Sequence, residues 1–508
     1  MSRSCAVFLA LLVAGPGLYA PARGQAFVNL GPNPQAFGFG VMEAPRVAHH
    51  VDLNGDGAVD AVQGAAGLGF VAWFARGQGT GRFSAAETLA LPPLGVQTDY
   101  LGAEGLTPLD LDRDGDLDLV TGYYRRFPYA QVGPGPLIAY LNDGRGNFTG
   151  ELTGRFEPYA LHPLRIDAVD LNRDGHPDLV VGRYDPRFGM DIHAFLDNGS
   201  GYFTHLSNNF PTLPNSVYEF AAADFDHDGD QDLVVTTIGG GTNIFTWTND
   251  GTGYFQSGFG FPSYWCEFLE TGDINRDGHA DIVIAGARLA LQVWLGDGTG
   301  GFTQANNAFP FAWRGTDNHR NSLQLADLDG NGALDIVTAK IDVGLEIYLN
   351  DGAGVFRDGR AELGFGSYSN PRIAFADDLD RDGDVDLQFN LPADWWANLE
   401  RQILTNDPPI GGTLNVDLFA RPQHIASYLI GFARRDLFIP GIGWSALDPA
   451  TAVAWPSAVT MGPSGRFRTT LGVPNDQSLR GLRLFAQGVD LDPLAGLRTT
   501  NVWPFTIQ

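Results

Sequence analysis

Cysteine is nearly absent: the 508 residues include two, Cys5 and Cys266. Cys5 lies in an apolar opening segment, so a mature chain keeps one thiol and has no internal disulfide to staple it. Runs of lysine or arginine are missing as well. With a formal charge of -27 and an isoelectric point near 4.5, this excludes the basic surface that nucleic acid or an anionic membrane requires. No apolar stretch is long enough to span a bilayer, and the run from Cys5 to Ala14 is too short. Catalytic signatures are lacking too, with no G-x-S-x-G elbow, H-E-x-x-H helix, P-loop or dinucleotide fingerprint.

What is present begins with a leader. Arg3, the apolar run and the small residues Ala22 and Gly24 predict a secretory signal peptide over 1–24, cleaved before Gln25, and therefore a secreted, cell-surface or periplasmic protein.

The dominant feature is a nine-residue acidic loop that recurs seven times, first as "DLNGDGAVD" from Asp52 and last as "DLDRDGDVD" from Asp378. Successive copies start 58, 60, 54, 49, 54 and 51 residues apart, a spacing natural for a repeat unit whose surface loops vary in length. Position 1 is Asp52, Asp110, Asp170, Asp224, Asp273, Asp327 and Asp378. Position 3 is Asn54, Asp112, Asn172, Asp226, Asn275, Asp329 and Asp380, and position 5 is Asp56, Asp114, Asp174, Asp228, Asp277, Asn331 and Asp382. Position 9 is Asp60, Asp118, Asp178, Asp232, Asp281, Asp335 and Asp386. Carboxylates this close repel by about 3 kcal/mol per pair at ~5 Å and an effective dielectric of ~20. A hard dication held by six or seven oxygens offsets that repulsion, and calcium fits the ligand number better than magnesium. Position 6 is always glycine, as a sharp wrap at positive φ demands. Position 7 varies freely, as a backbone-carbonyl ligand permits, and position 2 is always apolar and predicted to face a core. Up to seven calcium ions are expected.

The flanks exclude an EF-hand, because position 12 is never glutamate and the residues after position 9 are short β-branched runs such as "LVVG" and "IVIA" that read as buried strands. Six units then carry an aromatic strand, a glycine turn and a phenylalanine, as in "YLNDGRGNF" and "WTNDGTGYF". The Asp-Gly and Asn-Gly pairs predict hairpins with type I′ turns, and the aromatics are expected in the packing between units. The seventh unit runs into "LPADWWANLERQILTN" without such a hairpin, and the segment "QAFVNLGPNPQAF" ahead of the first loop is the candidate to supply its missing strand.

These loops, the apolar strand after each and the "NDGxGxF" hairpin resemble FG-GAP/VCBS repeats, the units of the integrin α-subunit propeller and of many secreted bacterial proteins. The resemblance covers roughly residues 26–405 and implies a seven-bladed β-propeller of four-stranded blades, with calcium in loops on one rim. It implies side-chain ligands at positions 1, 3, 5 and 9 and a carbonyl ligand at position 7. Asn54, Asn172, Asn275 and Asn331 each replace a charge, so those four loops are expected to bind more weakly.

The all-β expectation continues past "TNDPPIGG", where the acidic loops stop. The predicted organisation is a propeller over 25–405, a linker over 406–412 and a small sandwich-like domain over 413–508, in which eight Arg balance six Asp. An adhesion or recognition scaffold for a protein or glycan ligand is the leading function class. The alternative is a calcium-dependent lectin or a polysaccharide lyase, for which Arg314, His319 and Arg320 are the candidate cluster. His49 and His50 read as a surface pair, and Cys266 as a buried core thiol.

Overall fold

The computed structural model describes residues 28–32, 48–64, 66–67, 70–77, 87–90, 101–102, 105–126, 132–151, 154–156, 163–185, 189–213, 217–237, 242–262, 266–286, 289–306, 308–309, 320–340, 344–360, 363, 374–379, 385–389 and 394–397, together with strands and short turns between 403 and 507. The expected signal peptide and most of the expected linker lie outside them.

The fourth unit shows the plan. Val217–Ala223, Asp232–Thr237, Thr242–Asn249 and Phe255–Pro262 pair antiparallel in that order. Residues of the second strand, "DLVVTT", are buried throughout, as a strand covered on both faces requires. Units one, three, five and six repeat this four-strand order, and unit two carries two further short strands. In the seventh unit, Ala374–Asp377, Asp386–Phe389 and Asp394–Ala397 supply three strands and Val28–Pro32 supplies the fourth. Val28 pairs with Ala397 and Asn29 with Trp396, so the N-terminal segment completes the last sheet. The chain is all-β among its described residues apart from one turn of 3-10 helix, and its repeated four-stranded sheets are consistent with a propeller-like fold.

The core lies between sheets. One apolar cluster joins Phe225, Val234 and Phe261 of unit four to Leu269, Ile282 and Trp294 of unit five, with Cys266 buried among them. Equivalent clusters join units two to three, three to four, five to six and six to seven. The strand aromatics of the hairpins sit in this packing, with Phe195, Trp247 and Phe356 essentially inaccessible, whereas Tyr202 and Tyr254 in the turns are exposed. Stacked rings recur at the unit boundaries, Phe156 on Phe203, Phe210 on Phe255 and Phe309 on Phe356. Each such pair adds roughly 0.5–1.5 kcal/mol beyond the area it buries.

Because position 9 opens the second strand, the acidic loop joins the first strand to the second. Antiparallel pairing then places the glycine hairpin, which joins the third to the fourth, at the same end of the sheet. That hairpin is not a type I′ turn. In unit two Asn142 pairs with Phe148 across five residues, Asp143 N–H donates to Asn147 C=O, and positive φ falls on Gly144 and Gly146 with an ordinary residue between. Two glycines one residue apart, rather than two adjacent positive-φ residues, make the reversal. Beyond residue 402, Ile403–Thr405 pairs with Thr413–Phe419 in a three-stranded sheet rather than with the seventh unit.

Closure by Val28–Pro32 makes a prediction. Deleting residues 25–32 leaves the edge Asp394–Ala397 without a partner, and limited proteolysis should then cut near it while the parent resists. Equal resistance in both proteins would contradict the closure.

Candidate metal-binding loops

Each of the six loops described throughout wraps by two left-handed residues. Position 6 glycines take φ between 82° and 96° in the six described copies, where a side chain would be strained. Position 4 is also left-handed, at φ 59–64° for Arg113, Arg173, His227 and Arg276 and 66–68° for Gly55 and Gly330. Such non-glycine residues are uncommon and cost of order 1–3 kcal/mol each, so their surroundings must impose the shape. Position 2 points into the core as expected, with Leu53, Leu111, Leu171, Phe225, Ile274, Leu328 and Leu379 at most 2 % exposed.

Two carboxylates organise the wrap. In all six described loops the position 1 Oδ2 accepts the position 6 N–H at 2.7–3.2 Å. Position 9 is fully buried in every unit. Its Oδ2 accepts the N–H of position 2 at 2.8–3.0 Å, which closes the loop. Its Oδ1 accepts an N–H at the hairpin, from Gly77, Asn142, Asp197, Asn249, Gly296 or Asn350, at 2.6–2.8 Å. One carboxylate thus ties loop to hairpin. Burial pushes its pKa up, to about 6 in Asp60, Asp232 and Asp281, about 7 in Asp178 and about 8 in Asp335, and upward in Asp118.

Positions 1, 3 and 9 converge. In Asp110/Asp112/Asp118, Asp224/Asp226/Asp232 and Asp327/Asp329/Asp335, one oxygen of each residue lies within 4.8 Å of the others. Ligands ~2.4 Å from a common calcium stand no more than about 5 Å apart, so these sets fit one ion. Oδ1 of Asp170 and of Asp224 is buried without a hydrogen-bond donor, as an oxygen kept for a cation would be. Position 5 stands apart: Asp56, Asp114, Asp174, Asp228, Asp277 and Asn331 are exposed, and each accepts the position 7 N–H.

The four loops with asparagine therefore divide into two kinds. Asn331 lies at the exposed position and leaves its cluster of three carboxylates intact. Asn54, Asn172 and Asn275 lie at position 3, and their amides bond the neighbouring acids. Asn54 Nδ2 reaches both oxygens of Asp60 at 3.1 Å, Asn172 reaches Asp174, and Asn275 reaches Asp277. In the seventh loop Asp378 and the buried Asp386 are described, whereas Asp380 and Asp382 lie outside the described residues.

Contacts between units depend on residues that the loop pattern does not single out. Asn142, Asn249 and Asn350, at the end of the third strand in units two, four and six, donate Nδ2 to the position 2 carbonyl of the preceding unit, Leu53, Leu171 or Ile274, at 2.6–2.8 Å. The same amides also bond the position 8 carbonyl of their own loop. Position 4 reaches forward: Arg113 to Asp197 at 3.0 Å, Arg173 to Asp228 and Asp230, and Arg276 to the carbonyls of Asn331 and Gly332. The signal that would have found these residues is the "NDG" shared by the hairpins of units two, four and six, and the recurrence of arginine between two ligand positions in loops two, three, five and seven.

The first strands carry a second polar group. Arg165 pairs with Asp167 and with Glu219 of the next unit at 2.7 Å, and burial pushes Glu270 of unit five up to about 7. His49 and His50 belong here and are not a surface pair. His49 Nε2 lies 2.8 Å from Leu106 C=O of unit two, and His50, its side chain 5 % exposed, lies 3.5 Å from Asp377 of unit seven. The strand before the first loop faces its neighbours on both sides, which explains their burial. Arg314 and His319 lie outside the described residues, and Arg320 opens the first strand of unit six.

Repeated sheets, each with an acidic loop and six of them with a glycine hairpin at the same end, define a repeat protein built around candidate metal sites. A family model described as FG-GAP-like repeat matches residues 52–121, 170–235, 224–284, 273–338 and 327–388, more than half of the chain. The protein belongs to the FG-GAP-like repeat family. Among curated proteins no match was found.

Two measurements check this geometry. A carboxyl whose pKa is higher folded than unfolded binds more protons in the native state, so stability falls as pH rises between the two values. In chelator, the melting temperature should therefore rise as pH is lowered from about 8 to about 5, whereas in excess calcium it should fall over the same range as protons displace the ion. A flat profile in chelator would contradict the burial of position 9. Separately, Asn249→Ala strands the carbonyls of Leu171 and Gln231, and chemical denaturation should show a loss of about 2–4 kcal/mol.

Proposed function

We propose that the protein is an exported, calcium-binding, seven-bladed β-propeller that serves as an adhesion or recognition scaffold for a protein or glycan ligand. The observation that carries the calcium part is the convergence of three carboxylates in loops two, four and six, with Asp224 Oδ1 of loop four buried and without a donor. Positions 1, 3 and 9 would hold the ion through side-chain oxygens, position 5 through its exposed carboxylate, and position 7 through its carbonyl. Bound calcium supplies positive charge where each loop concentrates negative charge, and it requires no redox or acid–base partner.

A structural role follows from distribution, since the sites are spread over the repeats rather than gathered at one point, and no disulfide is available to a mature chain. Extracellular modules bind calcium at roughly 0.1–1 mM. A site of ~0.1 mM affinity at ~2 mM calcium adds about 1.8 kcal/mol by mass action. Several such sites rival the net stability of a typical domain. Seven dications would also roughly halve the formal charge of -27.

Calorimetric titration should resolve a tighter class of sites that includes loops two and four from a weaker class that includes loops one, three and five. Asp226→Asn converts loop four to the weaker pattern and should move one ion between classes, with affinity lowered on the order of tenfold. Saturation at two ions or fewer would overturn the proposal. For the ligand, a glycan and protein array probed in calcium and in chelator, run beside a turnover assay on acidic polysaccharides, separates a scaffold from an enzyme. Turnover would overturn the scaffold reading.

A further inference from the structure

In unit three, two imidazoles lie on adjacent strands away from the acidic loops. His193 belongs to the third strand, Gly189–Asp197, and His205 to the fourth, Phe203–Leu206. His205 stands opposite Phe195, two residues from His193 on the same face, and the imidazole centroids are 5.1 Å apart. His193 Nδ1 and His205 Nε2 point at one another across 2.9 Å.

The outer nitrogens each face a polar group. His193 Nε2 lies 3.4 Å from Asp191 Oδ1, and Asp191 is in turn gripped by Arg183 through Nε at 2.7 Å and through Nη2. Burial acts to raise the Asp191 pKa, but His193 and Arg183 more than offset it and keep the group a carboxylate. A carboxylate on that side favours the His193 proton on Nε2, the tautomer that turns the Nδ1 lone pair toward His205. Ser207 Oγ lies 3.5 Å from His205 Nδ1, on the side away from the pair. A carboxylate on one outer nitrogen and a hydroxyl near the other is the arrangement that orients metal-binding histidines.

We propose that His193 and His205 form a metal site of a second kind, which takes a borderline divalent transition ion such as zinc. Imidazole nitrogens suit zinc or copper, whereas calcium prefers oxygen, so the pair would not compete with the acidic loops for the same ion. Two nitrogens on one tetrahedral zinc stand ~3.4 Å apart at bond lengths of ~2.0–2.1 Å. The rings must therefore part by ~0.5 Å from where they are held. His205 lies on a short fourth strand and Ser207 just after it is exposed, so this side of the pair can move, and water completes the coordination. As the ion binds, the proton between the nitrogens passes from His205 Nε2 to His205 Nδ1, on the Ser207 side, so that both imidazoles ligate in their neutral form. His193 itself is 11 % exposed at its side chain, which leaves a path from solvent.

A second pair, His227 and His279 in loops four and five, comes within 2.7 Å. His227 is exposed and His279 half-buried, and among the described residues no carboxylate pairs with their outer nitrogens. Orientation by Asp191 is what distinguishes the pair in unit three, and this argument is independent of the calcium loops.

The test titrates zinc into the full chain in excess calcium, read by competition with a chromogenic chelator. One zinc should bind at the unit-three pair. His193→Gln and His205→Gln should each remove that equivalent, and Asp191→Asn, which leaves both ligands, should weaken it by ~10-fold through loss of the orienting carboxylate. Zinc uptake unchanged in both histidine variants, or lost in His227→Gln and retained in His193→Gln, would overturn the proposal. If the variants fail to fold, zinc-soaked crystals of the parent decide by anomalous scattering: a peak between the two rings supports the site, and its absence there overturns it.

Discussion

A buried aspartate that bonds two backbone amides at once is the interaction on which the rest of each unit depends. The position 9 carboxylate opens the second strand, closes the acidic loop through the position 2 N–H, and catches the hairpin through a second N–H. Without it the loop has no fixed end and the third strand no anchor at that end of the sheet. Burying a carboxylate is expensive, and two amide donors offset only part of the cost, as the upward pKa shifts record. The cation proposed among positions 1, 3 and 9 would supply the remaining compensation, and on that reading the acidic sequence and a fold built on buried carboxylates belong to one design.

The second level of organisation is strictly between neighbours. Apolar clusters, stacked phenylalanines, the asparagines that end the third strands and the arginines at position 4 all join one unit to the next. Stability in such an array is close to a sum of units and interfaces, which makes the terminal units the vulnerable ones. Val28–Pro32 removes that vulnerability by pairing with the seventh sheet, and the contact of His50 with Asp377 joins the first unit to the last.

Much of this was legible from spacing alone. The apolar position 2, the glycine at position 6 and the strands after position 9 follow from the comparison of seven copies, because each obeys one local rule of burial, φ or propensity. The missing strand of unit seven was legible as a deficit at one end of the chain and a surplus at the other. Other features were not, for physical reasons. Left-handed arginine at position 4 contradicts local preference and is imposed by the wrap of the loop together with the side chain's reach to the next unit. The hairpin's Asp-Gly suggested adjacent positive-φ residues, whereas the second glycine, two residues on, takes that conformation instead. The partners of Asn142, Asn249 and Asn350 lie 76–89 residues away, so no local rule indicates them. Likewise His49 and His50 look solvated in sequence because their burial comes from units two and seven.

The central claim is that calcium and the position 9 carboxylate together hold loop to hairpin. Hydrogen exchange at the amides of Leu111, Phe225 and Leu328 and of Asn142, Asn249 and Asn350, followed with and without calcium, tests it most directly, since each donates to that carboxylate. With calcium these amides should exchange only through global opening. In chelator they should exchange through local opening of the loops, ahead of the amides in the middle of the second strands. Equal protection in both conditions, with the loop amides as slow as the strand centres, would contradict the account.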